Sequence, residues 1–248
     1  RYKYRGSENA NFKYTGTTAQ KQVWQNQGYF GGLNTGNNLG YANSTTPTSA
    51  VTYAYSNNNK TLTITSNQTN AQMMGFGTTV SNGVMLPPWY QSDTIETVRF
   101  VAHSGGTKVK ARDLNFMFAG CSKLKSVDFS NLDASPATSM VYTFQRCTAL
   151  ESINLSGLNT ANVSSFEGMF DGCTALKKAD LSALNFNNVT TTAVMFRGCS
   201  ALTGSINMGT KTTQASDYAV RFPATNFPKL TQIYRMYRDS GISSVNIE

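Results

Sequence analysis

The chain reads as an α/β repeat solenoid. Coils of about 26 residues, each a short parallel strand and a short helix, stand behind a β-rich N-terminal module. Three observations predict this. First, Cys121, Cys147, Cys173 and Cys199 stand 26 residues apart. Each has a phenylalanine three residues before it (Phe118, Phe144, Phe170, Phe196) and a leucine three after (Leu124, Leu150, Leu176, Leu202). A fixed period of that size marks stacked units. Second, an apolar-x-apolar pair follows each leucine: Val127/Phe129, Ile153/Leu155, Ala179/Leu181 and, one residue late, Ile206/Met208. Such alternation is a short strand with one buried face. Third, the return segments carry Ala137/Met140, Val163/Phe166 and Val189, spaced as on one side of a short helix or turn. No unit can bury its apolar face alone, so neighbours must stack.

Weaker copies extend the array. Ile95-x-x-Val98-x-Phe100 precedes it, and Ile242-x-x-Val245-x-Ile247 follows it after Met236-Tyr237. Six parallel strands are therefore expected, at Val98, Val127, Ile153, Ala179, Ile206 and Val245. The last interval is 39 residues, which implies an insertion at about 209–230 ahead of a C-terminal cap. The solenoid occupies 85–248.

Residues 1–84 follow another grammar. Lys3-Tyr4-Arg5-Gly6-Ser7 is echoed ten residues on by Lys13-Tyr14-Thr15-Gly16-Thr17, and Val23-Trp24 follows. Residues 31–50 are rich in Gly, Asn, Ser and Thr and read as a loop. Val51–Tyr55 and Thr61–Thr65 flank Asn57-Asn58-Asn59, the signature of a hairpin. Pro87-Pro88 breaks any regular element. A module here would cap the open edge of the first coil or attach the array to something else.

Composition narrows the function classes. Charged residues are 14% of the 248, with 21 basic against 13 acidic and a formal charge of +8. The basic residues are scattered, with small clusters at Arg1-Lys3-Arg5, Lys108-Lys110-Arg112 and Arg235-Arg238, so no nucleic-acid partner is expected. No apolar run approaches the roughly 20 residues that span a bilayer. The chain starts at Arg1 with no methionine, so a processed or trimmed product is expected. Four cysteines at one repeat position point the same way in successive coils. They read as small buried apolar residues and not as disulfides. No Cys-x-x-Cys occurs and His103 is the one histidine, so neither a zinc site nor any cofactor is expected.

The runs MFAGCSKLKSVDFSNLD, TFQRCTALESINLSGLNT, MFDGCTALKKADLSALN and MFRGCSALTGSINM resemble the BspA-type leucine-rich repeat of bacterial surface proteins. LPPWYQSDTIETVRF is similar to the lead-in of such arrays. The second run lacks the Met and the Gly. The resemblance covers 85–248 and implies a leucine-rich-repeat type stack on a bacterial cell surface. The Tyr-x-Gly-Ser/Thr units of residues 1–30 resemble segments of phage tail and virion proteins.

No catalytic constellation stands out. A Ser-His-Asp triad would need His103 beside Ser104, and no Gly-x-Ser-x-Gly elbow exists. Asp128 and Asp180 sit two coils apart, ~10 Å by strand spacing, on an open and wet face where neither pKa would rise much. The chain is therefore read as non-enzymatic. Sequons at Asn43, Asn59, Asn67, Asn154, Asn162 and Asn188 follow from an Asn/Thr-rich composition.

Two contact surfaces are predicted. The outward strand positions Arg99, Asp128, Asn154, Asp180, Asn207 and Asn246 would form a polar stripe able to hydrogen-bond an extended ligand. The insertion and cap bring Tyr218, Arg221, Phe222, Phe227, Tyr234, Tyr237 and Arg238, residue types common at binding hot spots. The expected function is extracellular adhesion to a host protein or glycan. The alternative is a virion or filament subunit that assembles through residues 1–84.

Overall fold

The computed structural model describes residues 38–40, 48–73, 75–76, 79–80, 83–84, 86–207, 218–223 and 227–246. The repeat units expected at residues 1–30, and the positions of Met208 and Ile247, lie outside them.

The N-terminal part is β-structure: β1 (Asn38–Gly40), β2 (Thr48–Ser56), β3 (Thr61–Ser66), β4 (Gln72–Met73), β5 (Thr79–Val80) and β6 (Gly83–Val84). β2 and β3 form the expected antiparallel hairpin, with Tyr53 opposite Ile64. Asn57, Asn58 and Asn59 all turn through positive φ, a region in which Asn is enriched. The stacked strands follow: β7 (Thr97–Val101), β8 (Val109–Ala111), β9 (Ser126–Asp128), β10 (Leu132–Asp133), β11 (Ser152–Asn154), β12 (Lys178–Asp180), β13 (Thr203–Asn207), β14 (Tyr218–Arg221) and β15 (Gly241–Asn246). All six expected strands are present.

Two large sheets result, ordered β10-β8-β4-β1-β2-β3-β7-β9 and β11-β12-β14-β13-β15. β3 pairs parallel with β7 and β4 with β8, so the first sheet runs without a break across residue 84. β9 and β11 lie near each other but belong to different sheets.

The strand order corrects one expectation. Stacking of the six expected strands in chain order would set Ile206 beside Ala179. Instead β14, from the inserted segment, pairs parallel with both β12 and β13. Val220 faces Ala179, and Val220 and Phe222 are buried, like Ala179 and Leu181. The inserted segment thus supplies the apolar-x-apolar pair for that slot, and β13 is displaced one place outward.

The short helices are a second correction, since no helix occurs among the described residues. The segment before each cysteine is a run of turns. Two residues in each coil take positive φ: Phe116, Tyr142, Gly168, Val194 and Arg235 at one position, and Gly120, Arg146, Gly172, Gly198 and Asp239 at the other. An α-helix cannot pass through such residues. Alternate amides bond to the next coil instead. Met140, Tyr142, Phe144 and Arg146 donate to the carbonyls of Ser165, Glu167, Met169 and Asp171, at 2.7–3.0 Å. The set recurs from Phe166, Gly168, Phe170 and Gly172 to Thr191, Ala193, Met195 and Arg197. It recurs again from Thr192, Val194, Phe196 and Gly198 to Gln232, Tyr234, Met236 and Arg238. This corner ladder joins coils where a helix would satisfy only itself.

The core runs between strands and corners. Phe118, Phe144, Phe170, Phe196 and Tyr237 form one column of rings, with successive centroids 5.5, 5.5, 5.4 and 6.0 Å apart. All four cysteines are buried, and none of them is in a disulfide. Cys147, Cys173 and Cys199 direct their thiols at the carbonyls of Phe118, Phe144 and Phe170, at 3.2, 3.0 and 3.1 Å. The thiol is thus a small apolar filler and a weak donor to the coil before it.

Candidate functional site

The stripe follows from strand register. Thr63, Arg99 and Asp128 lie side by side on one ladder. Asn154, Asp180, Arg221, Asn207 and Asn246 lie side by side on the other. Arg99, Asp128, Asn154, Asp180 and Arg221 are exposed, while the residues between them point into the core. For Asn207 and Asn246 the backbone register alone is described. Arg221, assigned from the sequence to the insertion, belongs to the stripe. It faces Asp180 with its guanidinium 3.8 Å from the carboxylate.

Each acidic or amide member also ends its own strand. Asp128 Oδ1 accepts the amide of Ser130, Asn154 Oδ1 that of Ser156, and Asp180 Oδ1 that of Ser182, all at 2.9 Å. These are Asx turns, which suit Asp and Asn where a strand must stop. The Ser130 amide holds the Asp128 carboxyl below its usual value. Asp128, Asn154 and Asp180 are therefore fixed in orientation, and Asp180 turns its second oxygen toward the Arg221 guanidinium. A matching set of Asx turns recurs at Asp133, Asn159 and Asn185.

The C-terminal aromatic group divides. Tyr237 is the last ring of the phenylalanine column. Phe222 and Phe227 pack against Phe186, at 5.5 and 5.3 Å. Tyr234 remains exposed, with Arg235 stacked over its ring at 4.7 Å. Tyr218 has only its backbone described.

The corner ladder carries a cleft of about 510 Å³ on the same end of the array. Arg146, Arg197, Arg235 and Arg238 line it together with Asp171 and Asp239. Asp171 is buried and takes two bonds from Arg197, at 2.8 and 2.7 Å, and a third from Gln145 at 3.0 Å. Of these arginines, Arg235 and Arg238 stand out in the sequence as a pair. Arg146 and Arg197 join them only because coils 26 residues apart stack.

His103 sits at a turn, where its amide donates to Thr107 O at 2.9 Å. Its Nε2 lies 3.2 Å from the hydroxyl of its neighbour Ser104. Among the described residues no group of three or more His, Cys, Asp and Glu is placed to hold a metal ion. Among them, too, no helix is long and apolar enough to cross a membrane.

No curated protein matches the chain. Among solved structures, a leucine-rich repeat protein of T. pallidum is similar over 64% of this chain and 79% of its own, at 13% identity and a TM-score of 0.25. That likeness is too loose to carry the fold, which rests on the ladders above. Residues 110–234, half of the chain, match the family described as "Mycoplasma protein of unknown function, DUF285". The matched span runs from β8, through every cysteine, to the exposed Tyr234, and the chain belongs to the DUF285 family.

Proposed function

We infer that the chain is a non-enzymatic contact module of an extracellular surface. In this reading the coils are a leucine-rich-repeat type solenoid of the BspA kind, and the strand face meets a protein or glycan on a host or cell surface. One observation carries the reading. Five exposed polar side chains line parallel strands, Arg99 and Asp128 on one ladder and Asn154, Asp180 and Arg221 on the other, and three of them are pinned by Asx turns. Parallel strands repeat about every 4.8 Å, so such a row suits an extended ligand better than a small enclosed substrate. The buried core behind it makes the row rigid, which lowers the ordering cost of binding.

The test is an array of host-surface glycans and proteins probed with the whole chain, in parallel with turnover assays on the same ligands. The reading expects binding of an extended ligand without turnover. Hydrolysis of a bound glycan, or no binding to any surface ligand, would contradict it. Light scattering addresses the virion or filament alternative, for which a stable trimer or polymer would speak.

A further inference from the structure

The residue before each cysteine takes positive φ, and in two successive coils it is Gly172 and Gly198. The corner there has no side chains, and the backbone forms a bare floor. A Cβ on Gly198 would lie 3.6 Å from Gly172 Cα, and one on Gly172 would lie 3.2 Å from Arg146 Cγ. Arg146 therefore lies along one edge of the floor. Arg235 and Arg238 stand in the last coil at its other edge, and the cleft between them holds about 510 Å³.

The charges around it do not cancel. Four guanidinium groups face two carboxylates. Asp171 is committed to Arg197 and Gln145. Asp239 lies 3.4 Å from Arg238 Nε. Among the described residues, no carboxylate lies within ion-pair distance of Arg146 or Arg235. Guanidinium groups stay charged across the accessible pH range, and their planar donors match oxygen anions in pairs. We propose that this corner cleft binds a tetrahedral oxyanion, a sulfate or phosphate group, between Arg146 and the Arg235/Arg238 pair. The site is separate from the strand face and does not depend on what that face binds.

A free inorganic ion and a sulfate ester on a polysaccharide offer the same chemistry. Calorimetric titration of the whole chain with sodium sulfate, dextran sulfate and neutral dextran separates them. Tight binding of sulfate alone identifies the free ion, and a clear preference for dextran sulfate identifies the ester. Either result supports the site. The variant Arg146→Gln with Arg235→Gln should weaken binding at least tenfold with an unchanged thermal midpoint. The corresponding Lys pair should recover part of the loss. Lys108→Gln with Lys123→Gln removes equal charge from exposed positions elsewhere and should change binding less than twofold. Equal loss in the two Gln pairs would show diffuse attraction and overturn the proposal. So would unaltered binding in the arginine pair, or a parent chain that binds neither sulfate nor dextran sulfate. Should the double variant unfold, Arg238→Gln alone, at the exposed rim, makes the same test.

Discussion

At the scale of the residue, the repeat positions serve burial first. Leu176 is wholly buried between coils, so Leu176→Ala should lower the unfolding free energy by ~2–5 kcal/mol. Chemical denaturation measures this, and a loss below about half a kilocalorie, the size of a surface change, would contradict the stack. The thiols give an independent reading. Burial drives the Cys147 and Cys173 thiols well above their ordinary ionisation range and pushes that of Cys199 up to about 12. Thiolate is the reactive form, so a thiol reagent should leave these cysteines untouched in the native protein and label them only after unfolding. Gly168 must lack a side chain, although Phe116, Tyr142, Val194 and Arg235 carry one at the same repeat position. Its φ is +59°, and a Cβ there would fall 2.1 Å from Tyr142 Cε1. Gly168→Ala should destabilise by more than the roughly 1–2 kcal/mol of left-handed strain alone. Adding Tyr142→Ala should recover the steric part.

The elements divide into those the sequence shows and those it hides. Strands were legible because alternating apolar pairs leave little choice of face. The corners were not. Spacings of three and four fit a short helix, but periodicity does not reveal positive φ at residues such as Tyr142 and Val194. The amides that would close a helix go to the next coil, a partner invisible from local pattern. β14 was hidden for another reason. The copy spacing gave Ile206 the slot beside Ala179, although Val220-Arg221-Phe222 repeats Val98-Arg99-Phe100 letter for letter. That repetition was the available signal, and it also places Arg221 in the stripe. Stripe positions were likewise legible, but their Asx turns were not. A prediction follows for β12. Asp180→Asn keeps the acceptor for the Ser182 amide and should be near neutral for stability. Asp180→Ala loses that bond and should cost ~0.5–1.5 kcal/mol. Equal midpoints for the two variants would show that the turn contributes nothing.

At the scale of the whole molecule, Glu96 ties the N-terminal hairpin to the coils. Lys125 and Lys60 hold its carboxylate at 2.7 and 2.9 Å, and their hydrogen bonds lower its pKa to about 2 from 4.5. A depressed carboxyl stabilises fully above its unfolded value, and the contribution fades as pH falls toward the folded one. The thermal midpoint of the parent should therefore drop between pH 4.5 and pH 2 more steeply than that of Glu96→Gln. Identical slopes would remove this tie from the account.

The strand face as contact surface is tested most directly by one affinity comparison. The ligand is whichever host-surface molecule the whole chain selects, and the variant is Asp128→Asn with Asp180→Asn. Both substitutions keep the turn acceptor and remove only charge, so the thermal midpoint should hold. Binding should weaken by ~1–3 kcal/mol, the scale of charge-assisted hydrogen bonds lost to an unreplaced partner. Unchanged affinity in this variant, with binding abolished by Tyr234→Ala, would place the contact on the C-terminal end and contradict the account.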